Sequence, residues 1–192
     1  ASAPRTGILT PMSRVGEILK GKYRLDELLG SGGMGEVYRA SNTLVDRTVA
    51  IKVLHAHHVK HPEAVSRFMR EAKAANAVRH RNIVDVLDID TDDGGVPFIV
   101  QEYLEGEALG AKLEGATTVL GSDEVLDLML PIIDAVGEAH KKGVVHRDLK
   151  PDNVLLARVD GELVPKILDF GISKVGSGDA GERAGVGAAA AG

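Results

Sequence analysis

The sequence predicts an α+β fold in two parts: strands with a single helix up to about residue 104, then a more helical part. Three patterns predict it. Segments of strand length, alternating or wholly apolar, recur between Tyr23 and Tyr103. Among them, Pro62 to Arg79 carries Ala64, Phe68, Ala72 and Ala75 at three- and four-residue spacing, one face of a helix. A second such stripe runs from Ser122 to His140 through Val125, Leu128, Met129, Ile132, Ile133 and Val136.

Each element has a local reason. Residues 1–19 begin rich in Pro, Ser, Thr and Gly and read as a flexible leader. Tyr23–Leu29 and Glu36–Ala40 alternate on either side of a glycine cluster, which predicts a hairpin. Thr48–Leu54 is a third strand, apolar on both faces apart from Lys52. Pro62 suits a first helical turn. Ile83–Ile89 and Pro97–Tyr103 read as two more strands joined by the acidic turn Asp90–Gly95. Ser122 is the expected N-cap of the second helix, Asp123 and Glu124 favour its first turn, and Gly143 ends it. Pro131 inside that stripe predicts a kink or a break. Val154–Leu156 and Lys166–Leu168 read as short strands. Residues 176–192 are nearly all Gly and Ala without core periodicity, so they are expected to be disordered.

Composition narrows the function classes. Apolar residues make up 44% of the 192, with no Trp and only three Phe and three Tyr, so the core must be aliphatic. A net charge of −5 argues against nucleic acid as partner. Cysteine is absent, which removes disulfides, thiolate metal sites and Cys nucleophiles and suits a cytoplasmic setting. No apolar run is long enough to cross a bilayer, so no membrane segment is expected within this chain.

The motifs carry the chemistry. Gly30-Ser31-Gly32-Gly33-Met34-Gly35-Glu36-Val37 contains G-x-G-x-x-G. Glycines let backbone approach phosphate oxygens, but they also simply make turns. A strand after this loop disfavours a dinucleotide-binding Rossmann unit, which needs a helix there. Lys52 alone reads equally as a solvent-facing edge lysine; before a helix bearing Glu71 it also reads as a phosphate contact held by a carboxylate. His146-Arg147-Asp148-Leu149-Lys150-Pro151-Asp152-Asn153, then Asp169-Phe170-Gly171, combine a base, a cation and oxygen ligands for Mg²⁺, the parts phosphoryl transfer to a hydroxyl requires. His55, His57, His58 and His61 read as an exposed connection rather than a metal site, Asp90, Asp92 and Asp93 as a solvated tip, and Arg79-His80-Arg81 as a helix-terminal basic patch.

Taken together and in this order, the motifs resemble the eukaryotic-type serine/threonine protein kinases, with a bacterial look from Val145 to Asn153 and from Leu168 to Lys174. The resemblance covers about residues 20–175. It implies a kinase N-lobe of five antiparallel strands plus one helix with hinge at 20–104, and the first part of a helical C-lobe at 105–175. It implies ATP and Mg²⁺ as cofactors and a protein Ser/Thr hydroxyl as acceptor. Asp148 would take the hydroxyl proton, Lys150 would approach the γ-phosphate, and Asn153 and Asp169 would hold Mg²⁺. Lys52, fixed by Glu71, would contact the α/β-phosphates under the loop Gly30, Ser31, Gly32, Gly33, Met34 and Gly35. Val37, Ala50 and Leu155 would enclose the adenine, and Glu102, Tyr103 and Leu104 would form the hinge, with Gln101 as gatekeeper. His146 and Phe170 would stack with Ala75.

The family's phosphorylatable activation segment, Ala-Pro-Glu motif and later helices are not found after Gly171, although Arg147 is of the kind that pairs with a phosphorylated segment. The chain is therefore expected to be the N-terminal portion of a kinase domain. The alternative is a non-catalytic nucleotide-binding or docking module without a substrate platform.

Overall fold

The computed structural model describes residues 13–116 and 119–169. Among the described residues, nine strands and four helices run in the order β1 (Ile18–Leu19), β2 (Tyr23–Ser31), β3 (Gly35–Asn42), β4 (Arg47–Leu54), α1 (Ala56–Val59), α2 (Pro62–Ala77), β5 (Val86–Thr91), β6 (Pro97–Glu102), β7 (Gly106–Ala108), α3 (Leu109–Glu114), α4 (Ser122–Lys141), β8 (Val154–Val159) and β9 (Glu162–Ile167). A 3₁₀ turn, Pro151–Asn153, precedes β8.

The first unit is an antiparallel sheet of order β1-β2-β3-β4-β6-β5. The five expected strands are present, and the two-residue β1 adds a sixth at the edge. Residues 13–19 are thus not a flexible leader. Leu19 is buried in the sheet core, and Arg14 binds Glu17 and Asp92 at 2.6 Å each. The sheet curls. β2 and β6 are three places apart in strand order, yet the Tyr23 and Phe98 rings meet edge to face at 6.2 Å. Across the same closure Tyr23 donates to Asp88 on β5 at 3.3 Å, and Lys22 lies 3.5 Å from that carboxylate. The inside of the curl holds Leu25, Tyr38, Ile51, Phe98 and Val100. Its outer face receives α2 through Leu54, Phe68, Ala72 and Ile99.

The second unit packs α4 against the three-stranded sheet β7-β8-β9. Its core, with Leu128, Ile132, Ala139, Leu156 and Ile167, also takes in Ala74, Ala75 and Val78 from the end of α2. That shared helix end joins the units. Ile83 and Val84 belong here too, which is why β5 begins at Val86 rather than Ile83. Ile83 bridges Ile167 in parallel, and Val84 N–H donates to Ile167 O at 2.9 Å.

Other expectations are adjusted by local chemistry. The N-cap of α4 is Gly121, with no side-chain cap, and Ser122 is already helical. Pro131 does not break α4; residue 127, whose carbonyl the proline leaves without its usual helical donor, is solvent-exposed. Val125, Met129 and Ile133 of the expected stripe are exposed, and the buried face is Leu128, Ile132, Ala135 and Ala139. Gly143 does end the helix, at φ 73°, with its N–H donating to His140 O at 2.9 Å. The short strands expected around residues 154 and 166 extend into a full hairpin. Asp160 and Gly161 both take positive φ, 51° and 87°, as a tight two-residue turn requires. The expected disordered segment 176–192 lies outside the described residues.

Asp92 is where charge supports the curl. Burial pushes its pKa up, but the Val96 and Gly94 N–H groups and the Arg14 guanidinium outweigh this and hold it below the ordinary value. A carboxyl depressed in the fold contributes stability that is present above its unfolded pKa and is lost as pH falls through the folded one. Asp92→Asn keeps the acceptor for both N–H groups and removes the charge. It is expected to lower stability at pH 7 and to flatten the loss of stability below about pH 4, measured by urea unfolding at stepped pH.

Candidate active site

A cleft lies between the two units. One part of it, about 410 Å³, is roofed by residues 30–35 and walled by Val37, Lys52, Glu71, Asp148, Asn153 and Asp169. An adjoining pocket of about 610 Å³ shares Gly30, Val37 and Asp169 with it and adds Ala50, Gln101, Glu102, Tyr103, Leu104, Leu155 and Leu168. Both volumes fall in the range of small-molecule sites.

The roof is the turn between β2 and β3. Gly35 has to be glycine, because a Cβ there would collide with the carbonyl oxygen of Val53 on β4. Strand alternation places the floor cation. Val49, Ile51 and Val53 point into the curl, so Ala50, Lys52 and Leu54 face the other way. Lys52 is therefore 9% exposed, beneath α2 rather than in solvent. On α2, Phe68, Glu71, Ala72 and Ala75 share the buried face, which carries Glu71 under the sheet. Lys52 Nζ lies 3.8 Å from Glu71 Oε2 and 3.0 Å from Asp169 Oδ1. The carboxylates offset the cost of desolvating the ammonium.

The opposite wall is the loop at residues 146–153. Arg147 adopts φ 61°, a left-handed conformation that costs a non-glycine residue about 1–2 kcal/mol. The turn lets the Asp148 N–H donate to His146 O at 2.9 Å. Asn153 Nδ2 donates to Asp148 O at 2.8 Å, so its amide oxygen is the end available to a ligand. Leu168 N–H donates to Asn153 O at 2.9 Å, tying this loop to the residue before Asp169. His146 is buried, and desolvation lowers its pKa more strongly than Asp148 and Asp169 raise it.

The cleft thus gathers the expected glycine loop, Val37, Lys52, Glu71, Asp148, Asn153 and Asp169, with Ala50, Glu102, Leu104 and Leu155 in the adjoining pocket. Gln101 also borders a small recess behind Lys52, with Ala75. Lys150 is not brought in: half exposed, it lies 3.6 Å from Asp152 and does not line either pocket. Phe170 and Gly171 lie outside the described residues.

Two contributions were not legible in the motifs. Lys166 on β9 is buried and binds Glu102 Oε1 at 2.5 Å, and the same oxygen accepts the Asp85 N–H at 2.9 Å. Glu102 therefore fastens the segment between the units through its side chain. The histidines after β4 also reach the glycine loop.

Residues 23–188 match the family described as Protein kinase domain. The chain belongs to the protein kinase family. It is 43% identical to the serine/threonine-protein kinase Pkn1 of Myxococcus xanthus over 81% of the chain and 22% of that protein. It is 38% identical to the serine/threonine-protein kinase PrkC of Bacillus subtilis over 83% of the chain and 24% of that protein. The crystal structure of the Mycobacterium tuberculosis PknI kinase domain superposes with a TM-score of 0.67 at 32% identity, over 82% of this chain and 62% of that one. The chain is thus similar to serine/threonine kinases of bacteria, and it spans about a quarter of the length of the curated relatives it matches. Among its described residues no helix is long and apolar enough to cross a membrane.

The Glu102–Lys166 pair gives a test of how this kinase holds its two units. Lys166→Met leaves the half-buried Glu102 carboxylate without its cation and is expected to cost about 2–3 kcal/mol. Adding Glu102→Gln, which keeps an acceptor for Asp85 N–H, is expected to recover part of that loss in urea unfolding.

Proposed function

We propose that this chain carries the nucleotide-binding and catalytic centre of an enzyme that uses ATP and Mg²⁺ to phosphorylate Ser or Thr hydroxyls of proteins. The observation that supports this most is Lys52, buried between Glu71 and Asp169 on the floor of a glycine-roofed cleft, with Asp148 and Asn153 in the facing wall. Lysine in that position suits phosphate oxygens. The apolar walls Val37, Ala50, Leu155 and Leu168 suit a purine ring, and the chain at Glu102–Leu104 offers backbone groups to its edge.

The donor set also fits Mg²⁺. Asn153 and Asp169 offer hard oxygen atoms and few of them, which suits an ion that keeps water and phosphate oxygens in its shell. When bound, Mg²⁺ neutralises charge on the phosphates. The remaining work falls to side chains. Asp148, held by the turn at Arg147 and by Asn153, orients the acceptor hydroxyl and takes its proton as the oxygen bonds to the γ-phosphorus and the bond from that phosphorus to the departing ADP oxygen breaks. Lys52 positions the phosphates, and Glu71 keeps Lys52 in place. Lys150 has to exchange Asp152 for phosphate oxygens to contribute. An ATP-dependent reaction of this kind belongs in the cytoplasm, where ATP is supplied.

Two measurements test the reading. This chain is expected to bind Mg²⁺-ATP, and the full product of its gene is expected to move the γ-phosphate onto protein Ser or Thr. Asp148→Asn is expected to leave binding intact and to reduce transfer by about 10²–10⁴-fold. Absence of ATP binding by the wild-type chain overturns the reading. Binding without transfer by the full product favours the non-catalytic module instead.

A further inference from the structure

Three consecutive carbonyl groups at the tip of the glycine loop are taken by one short segment. Gly32 O meets His55 Nε2 at 2.8 Å, Gly33 O meets His58 Nε2 at 2.9 Å, and Met34 O accepts the His55 backbone N–H at 3.0 Å. A carbonyl oxygen only accepts, so both Nε2 atoms carry hydrogen, as they do in the matching neutral tautomer and in the imidazolium alike. The His57 ring stacks on His55 at 5.2 Å and lies tilted against His58 at 4.1 Å. None of these histidines lines the cleft.

The consequence follows from peptide planarity. In a trans peptide the C=O of one residue and the N–H of the next point in opposite directions. Holding the carbonyls of Gly32 and Gly33 toward the histidines turns the N–H groups of Gly33 and Met34 away from them. Both residues border the cleft on their other side. A glycine-rich turn otherwise has many backbone conformations to lose when it closes on a ligand. The imidazoles remove part of that freedom beforehand, and pre-ordering a loop in its binding conformation raises affinity.

We propose that His55 and His58 are positioning residues that hold the glycine loop with the Gly33 and Met34 N–H groups presented to the nucleotide phosphates. The inference rests on the nucleotide reading of the cleft for its ligand, but the tether itself needs no ligand to be tested.

The variant His55→Phe/His58→Phe keeps the rings and removes the donors. The variant His55→Gln/His58→Gln keeps a donor at nearly the same reach. In the nucleotide-free chain, hydrogen exchange over residues 31–35 is expected to quicken severalfold in the Phe variant and to stay near wild type in the Gln variant. ATP and ADP affinity is expected to fall about tenfold in the Phe variant, with adenosine affinity unchanged and the Gln variant restored. Unchanged loop exchange in the Phe variant overturns the proposal whatever the nucleotide result. An equal loss of ATP and adenosine binding overturns it as well, since that is general damage to the cleft. If the wild-type chain binds no ATP, the nucleotide reading fails while the exchange comparison still decides the tether.

Discussion

The structure around the cleft depends on one buried cation. Lys52 lies in β4 within the otherwise apolar run Val49–Leu54, and an ammonium so placed is tolerable only with carboxylates beside it. Glu71 comes from α2 and Asp169 from the segment after β9, so the cation draws together the sheet, its helix and the second unit. Each partner is positioned by ordinary packing. Glu71 rides on the stripe that buries Phe68, Ala72 and Ala75, and Asp169 follows β9, whose Ile167 is fully buried. An apolar core thus sets the geometry of a charged site.

A cleft between two units needs their relation fixed as well. Three connections do this by different means. The end of α2 is packed into the second unit's core, Ile83 bridges Ile167, and Glu102 binds Lys166 beside the linking segment. On the far side, Arg14, Lys22 and Tyr23 reach Asp92 and Asp88 and close the curl of the sheet. The glycine loop leaves from β2 of that curled sheet, so its root is firm while its tip is governed by what touches it.

How much of this was readable in the chain varies with the kind of signal. Lys52, Glu71, Asp148, Asn153 and the glycine loop could be grouped from the sequence because they follow one another in a recognisable order, with clean strand and helix periods around them, and they line one cleft. A Gly- and Ser-containing opening at residues 13–19 looks like a leader, whereas Leu19 is buried in the sheet core and Arg14 binds Asp92, 78 residues away. Glu102–Lys166 joins residues 64 apart in sequence, and no local pattern announces such a pair. The histidines read as an exposed connection, and their contact to Gly32 and Gly33 depends on how the loop folds back over β4, which spacing does not encode. Lys150 belongs to a motif yet lies beside Asp152, because a long exposed side chain settles on its nearest carboxylate.

If the cleft is a phosphate site organised by Lys52, removing that charge weakens the binding of a nucleotide and not of its nucleoside. Calorimetric titration of Mg²⁺-ATP and of adenosine into the wild-type chain and a Lys52→Met variant tests it most directly. The account predicts ATP binding to the wild type, weakened at least tenfold in Lys52→Met, with adenosine binding equal in both. ATP binding of equal strength in the two proteins would contradict it.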